Sequence, residues 1–143
     1  MRNLCMSFVV IFGSLFSGCA SGLIGTLPEV TDKGNASEII ILRPYNFVLH
    51  GISAYVEFDN NDIFAIRIVQ YAKFLAPPGN HTIGVRYPGL PTNNIAMLLA
   101  PKERYYYCIG ANLANFSLFQ ITEKEALLFI KDLYYMSLDN NIK

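Results

Sequence analysis

Beyond the first twenty residues, two histidines, one cysteine and a short acidic turn are the groups of this chain that could do chemistry. His81 follows the Pro77-Pro78-Gly79 turn and shares strand parity with Ile83 and Val85. It should point inward, its ring N–H satisfied by carbonyls of its own turn, rather than act as a base or metal ligand. His50 precedes Gly51 in a second expected turn, and two histidines without a cysteine or glutamate at ligand spacing make a poor zinc set. Cys108 lies in the β-prone run "RYYYCIG", where a thiol is expected to be packed, protonated and unreactive. "DNND", Asp59 to Asp62, starts like a calcium loop, but Ile63 takes the fifth position and no glycine or closing glutamate follows at the required spacing. Ser53 and Ser117 lack a nucleophile elbow, and no glycine pattern cradles a phosphate. The sequence therefore assigns no catalytic residue, no metal and no cofactor, and the expectation is a protein that is not an enzyme.

The chemistry that the sequence does specify lies near its start. Arg2 is the only charge before Glu29, and an apolar run covers Leu4 to Ser17. A short positive start, an apolar segment and small residues at a cut site describe a signal peptide. Leu15-Phe16-Ser17-Gly18-Cys19 resembles the bacterial lipobox, with Phe16 in place of the usual leucine. That resemblance implies cleavage between Gly18 and Cys19, diacylation of the Cys19 thiol and acylation of the new amine. A secreted protein with a free Cys19, or an uncleaved anchor reaching toward Pro28, are the competing readings. Two or three acyl chains suffice for stable anchoring, whereas one binds only marginally. The domain is thus not required to touch lipid. Ala20 after the cysteine favours the outer membrane, facing the periplasm.

Removing 18 residues leaves 125, enough for one domain with a real core. Ten Lys and Arg follow Arg2 against eleven Asp and Glu, with no basic cluster, so nucleic acid is not an expected partner. With Cys5 lost in the signal and Cys19 acylated, Cys108 is left without a disulfide partner.

The elements that must position these residues read as mostly strands. Residues 19–37 are small and polar, as in a flexible tether, and the domain is expected from 38 to 143. "EIIILRP" is a strand stopped by Pro44, and "NFVLHG" a short or irregular one. Ile52, Ala54, Val56 and Phe58 alternate with Ser53, Tyr55 and Glu57, and "IFAIRIVQ" repeats the alternation, so the two form a hairpin around "DNND". "HTIGVRY", "NIAMLLA", "RYYYCIG" and "FSLFQI" follow. Thr122 and Glu125 form a capping box, and Ala126, Leu127, Ile130, Leu133 and Tyr134 recur at helical spacing, predicting one amphipathic helix over about Glu123 to Met136. The fold class is mainly β: an antiparallel β-sandwich of about seven strands with one C-terminal helix.

"IILRP", "VEFDNN", "APPGNHTIGV" and "RYYYCI" together are similar to a family of small bacterial lipoproteins with a PEGA-like β-sandwich domain of unassigned function. The resemblance covers Ile39 to Ile109. It implies fold and an envelope location, and offers no catalytic residues. Asn60-Asn61 replace the family's glycine, which predicts a longer, looser hairpin loop. The leading expectation is a lipid-anchored accessory module that presents a surface to another envelope protein. The alternative is a glycan- or peptidoglycan-binding module that uses tyrosines, with Tyr55, Tyr87, Tyr105, Tyr106 and Tyr107 on expected strands.

Overall fold

The computed structural model describes residues 21–138. The expected signal peptide, with Gly18 and Cys19, lies outside the described residues. The strands are β1 (Gly22–Leu23), β2 (Ser37–Arg43), β3 (Ala54–Phe58), β4 (Asn61–Ile66), β5 (Gln70–Ala76), β6 (Gly79–Arg86), β7 (Asn93–Leu99), β8 (Arg104–Ala111), β9 (Phe116–Ile121) and β10 (Tyr134–Tyr135), with α1 (Glu123–Ile130) before β10. They form two packed sheets, ordered β1-β4-β3-β6-β7 and β10-β5-β2-β8-β9. This is the expected β-sandwich with its short C-terminal helix. The first sheet is antiparallel throughout, whereas β2 pairs β8 and β10 pairs β5 in parallel.

The inner faces interlock as period two dictates. Ala54, Val56 and Phe58 of β3 meet Ile39 and Ile41 of β2 and Tyr107 and Ile109 of β8 in one core. The unbroken isoleucine run of β2 follows from burial on both faces, because Ile40 and Leu42 lie under α1 with Ala126. At the start of α1 the capping box forms as expected: Glu125 N–H donates to Thr122 Oγ1 at 3.3 Å, and Thr122 N–H donates to Glu125 Oε2 at 2.8 Å.

Four expectations are corrected. Part of the expected flexible tether is docked. Gly22 and Leu23 pair with Ala65 and Phe64, and Leu23 and Leu27 pack on the core. Gly25 makes this possible: a Cβ there would lie 1.9 Å from the Asp62 carbonyl oxygen, so only glycine lets the segment follow β4 so closely. The same docking makes residues 22–27 part of the domain rather than of a membrane span running to Pro28.

The helix stops at Ile130 instead of Met136. Its end tightens through Asp132 N–H to Phe129 O and Leu133 N–H to Ile130 O, and the chain then adds to the open edge of β5. Tyr134 N–H donates to Val69 O and Met136 N–H to Tyr71 O, burying Met136 and Leu138. An unpaired strand edge outcompetes local helix periodicity. Tyr134, expected on the buried stripe, is consequently exposed, and Leu127, also expected there, is exposed within α1 itself.

A strand absent from the sequence reading, β5, alternates buried Ala72, Phe74 and Ala76 with exposed Lys73 and Leu75. The turn before it contains no Gly, Pro or Asn. Val69 instead takes φ 60°, a costly conformation for a β-branched residue, and its N–H is held by Arg43 O at 2.8 Å. The strand expected to continue through Ile68 therefore ends at Ile66.

Finally, the Asp59 hairpin is tight. Asp59 and Asn60 have φ 47° and 64°, the pattern of a two-residue turn with both centres left-handed, and Phe58 pairs directly with Asn61. A register shift after Val56 then accommodates Ile63 as an extra residue in β4.

The strand directions give the sandwich two distinct ends. Ser21, next to Gly22 and within 3.4 Å of the Gln70 side chain, marks the entry end, together with loops 44–53, 67–69, 87–92 and 112–115. The turns at 59–60, 77–78 and 100–103 and the start of α1 lie at the far end.

Candidate functional site

His81 sits in a far-end cleft of about 520 Å³ lined by Leu27, Asp59, Asp62, Ile63 and Pro77, among others. Two hairpins build its surroundings. The Asp59-Asn60 turn brings a carboxylate over the first residues of β6, where Asp59 Oδ1 accepts the Thr82 N–H at 2.9 Å. Asp59 Oδ2 lies 2.7 Å from His81 Nδ1. On the other side of the ring, Nε2 lies 2.9 Å from the Pro77 carbonyl oxygen, and a carbonyl only accepts, so Nε2 carries a proton. The ring also lies against Phe58, with centroids 4.8 Å apart.

Both ring nitrogens are therefore committed, and the imidazole side chain is only 12% exposed. The sequence expectation of an inward histidine bonded to its own turn holds for Pro77. The Asp59 partner, 22 residues away, was not legible, because it depends on β3–β4 and β6 sharing an edge. A His–Asp pair of this kind could orient a base, but here the nitrogen that a base would use is donating to a backbone carbonyl.

His50 is at the opposite end, exposed, with Nδ1 3.2 Å from Phe47 O and its ring beside the Phe47 ring. The two histidines are thus not brought together, and among the described residues no group of three His, Cys, Asp or Glu could hold a metal. Cys108 is buried opposite Leu42 and Phe119, and burial pushes its thiol up to about 11. Such a group stays protonated at neutral pH and is a poor nucleophile.

The five strand tyrosines are engaged in the sandwich. Tyr107 lies in the core, and burial, then Tyr105, pushes its hydroxyl up to about 12. Tyr106 is buried and donates to Glu123 Oε1 at 2.9 Å, Tyr105 accepts the Ala100 N–H, and Tyr87 stacks on Phe116. Tyr55 lies beneath the Arg86 guanidinium, 5.0 Å from its ring. The exposed tyrosines are instead Tyr45, Tyr134 and Tyr135. Tyr135 borders a groove of about 480 Å³ with Lys73 and Glu38 at its sides.

Two arginines were not singled out by sequence. Arg86 reaches Glu57 at 3.1 Å and Asp62 at 2.7 Å. Burial works against its charge, but the two carboxylates outweigh it and hold its pKa above the ordinary value. Arg43 is buried, and no carboxylate pairs with it among the described residues. Its guanidinium donates to Ile66 O at 2.6 Å and Leu49 O at 3.0 Å and lies 4.6 Å from the Phe116 ring centre. Burial lowers its pKa to about 10. The signal for it was the Arg-Pro step that ends β2: a charge at a strand end, pinned by the proline that follows. Arg43 fastens the entry-end loops as the Asp59–His81 pair fastens the far-end turns.

No family model, curated protein or solved structure matches the chain.

Proposed function

We propose that this protein is a lipid-anchored envelope lipoprotein whose domain is a non-enzymatic interaction module of PEGA-like type. The observation that carries the non-enzymatic reading is the double commitment of His81. The one imidazole set in a cleft with carboxylates has both nitrogens engaged, one to Pro77 O and one to Asp59. The lipobox-like Leu15–Cys19 supports the anchor, and paired structure beginning at Gly22 leaves only two residues between Cys19 and the sandwich. The outer side of the second sheet supports the interaction role, because Phe119 of β9 and Leu127 and Leu128 of α1 are exposed. Where exposed apolar side chains form a contiguous patch they mark an interaction surface.

A strain lacking the protein provides the test. The wild-type chain should incorporate labelled palmitate, and the Cys19→Ser protein should not, nor restore the strain's phenotype. The His81→Ala protein, compared at equal abundance, should restore it. Palmitate incorporation into the Cys19→Ser protein would overturn the anchor, and failure of His81→Ala at normal abundance and melting temperature would overturn the non-enzymatic reading.

A further inference from the structure

We infer that the entry end of the sandwich is a membrane-contacting face, seated on the lipid surface that holds the Cys19 acyl chains; this rests on the lipoprotein reading above. Five large apolar side chains project there from four different segments: Tyr45 at 62% exposure, Phe47 at 80%, Leu90 at 40%, Leu113 at 93% and Tyr134 at 76%. Four lie in loops beyond the strand ends that Ser21 marks, and Tyr134 opens β10 at that end. Tyr45 and Phe47 follow β2, Leu90 lies between β6 and β7, Leu113 between β8 and β9, and Tyr134 pairs with Gln70 at the start of β5.

These tips are not loose. Asn112 accepts the N–H groups of Ala114 and Asn115 on its side chain, and Asn115 reaches across to Pro91 O at 3.0 Å, joining two of the loops. Beside Phe47, the Val48 N–H donates to Asn46 Oδ1, while Arg43 holds Leu49 O from below. A well-fastened loop that leaves a leucine almost wholly in solvent incurs a hydration cost without a compensating contact. Lipid supplies that contact.

Covalent reach identifies the occupant. Cys19 precedes Ser21 by two residues, and an extended chain spans at most about 3.3–3.6 Å per residue, so an acylated Cys19 can lie no more than roughly 7 Å from the entry end. Apolar faces of membrane-surface segments sit about 5–10 Å into the headgroup boundary, which is the same scale. Aromatic rings with a polar edge, such as Tyr45 and Tyr134, suit that boundary. Charge agrees: the exposed charged residues in these loops are Arg67, Lys131 and Asp132, whereas the far end displays Glu29, Asp32, Lys33, Lys102, Glu103 and Lys124. A docked entry end therefore points the far end away from the membrane.

The chain contains no tryptophan, so single reporters can be placed cleanly. Phe47→Trp, Leu113→Trp and the control Leu98→Trp, exposed toward the far end of β7, are each purified as the full lipidated protein. They are reconstituted in vesicles with lipids brominated near the headgroup end of the chain. Mass spectrometry reports acylation separately. The acylated Phe47→Trp and Leu113→Trp proteins should lose most of their emission and shift to the blue, while Leu98→Trp keeps its emission. Unquenched emission at both entry-end positions in acylated protein overturns the docking and leaves the anchor standing. Emission unquenched in vesicles but shielded from acrylamide in native envelopes overturns it in favour of a protein occupant. Protein that reaches the membrane without acyl mass overturns the anchor, and this inference with it.

Discussion

The two ends of the sandwich solve the same problem with opposite chemistry. At the far end, the turns carry Asp59, Asn60, Lys102 and Glu103, and the fastening is a carboxylate–imidazole contact between neighbouring hairpins, partly open to water. At the entry end the fastening is a buried guanidinium bonded to two carbonyls, and the tips around it are apolar. Exposed turns are ordinarily polar, and the far end obeys. The entry end departs from that rule across several loops at once. A departure repeated in segments distant in sequence but adjacent in space indicates a surface rather than chance composition.

The largest effect should come from breaking the entry-end fastening. Arg43→Met removes the guanidinium donor from Ile66 O in the interior and one of the two donors to Leu49 O, which keeps the Ile52 N–H, and should cost about 1–3 kcal/mol. Urea denaturation should show it, and limited proteolysis should cut within residues 44–53 while the Asp59 turn stays protected. Equal cleavage at both ends would mean that Arg43 supports the whole core rather than its own end. At the far end, His81→Ala removes the contacts to Asp59 and Pro77 and should cost about 1–2 kcal/mol. Asp59→Asn keeps a left-handed turn residue and an acceptor for the Thr82 N–H, so it should cost less than His81→Ala in the same thermal melt. The smallest global effect is expected at the strand that joins the two ends. Gly25→Ala places a methyl group against the Asp62 carbonyl and should detach residues 22–27 at a cost of about 1 kcal/mol. Amide exchange should then accelerate at Ile24 and leave β2 unchanged.

Much of the fold was legible because it is local. The alternation in Ala54–Phe58, the isoleucine run of β2 and the Thr122–Glu125 box each act within a few residues, and each appears where the sequence places it. β5 carried the same alternation in Ala72, Phe74 and Ala76, but its preceding turn had no turn residue to announce it. Of the candidate groups, His81 and Cys108 were legible as packed residues, because parity and neighbours set their direction. The Asp59 partner was not, and neither was Arg43.

By itself, then, the sequence determined the fold class, the helix start and the inward set of His81, since short-range sterics and hydrophobic period suffice for these. Only the tertiary structure decided that Gly22–Leu23 joins a sheet, that Leu133–Leu138 leaves its helical pattern for the edge of β5, and that Phe47, Leu90 and Leu113 share one end. The reason is common to all three. A backbone edge with unpaired hydrogen-bonding groups, or a loop tip with uncovered apolar surface, acts on whatever lies beside it in space, and that neighbour is set by strand order rather than by the adjoining residues.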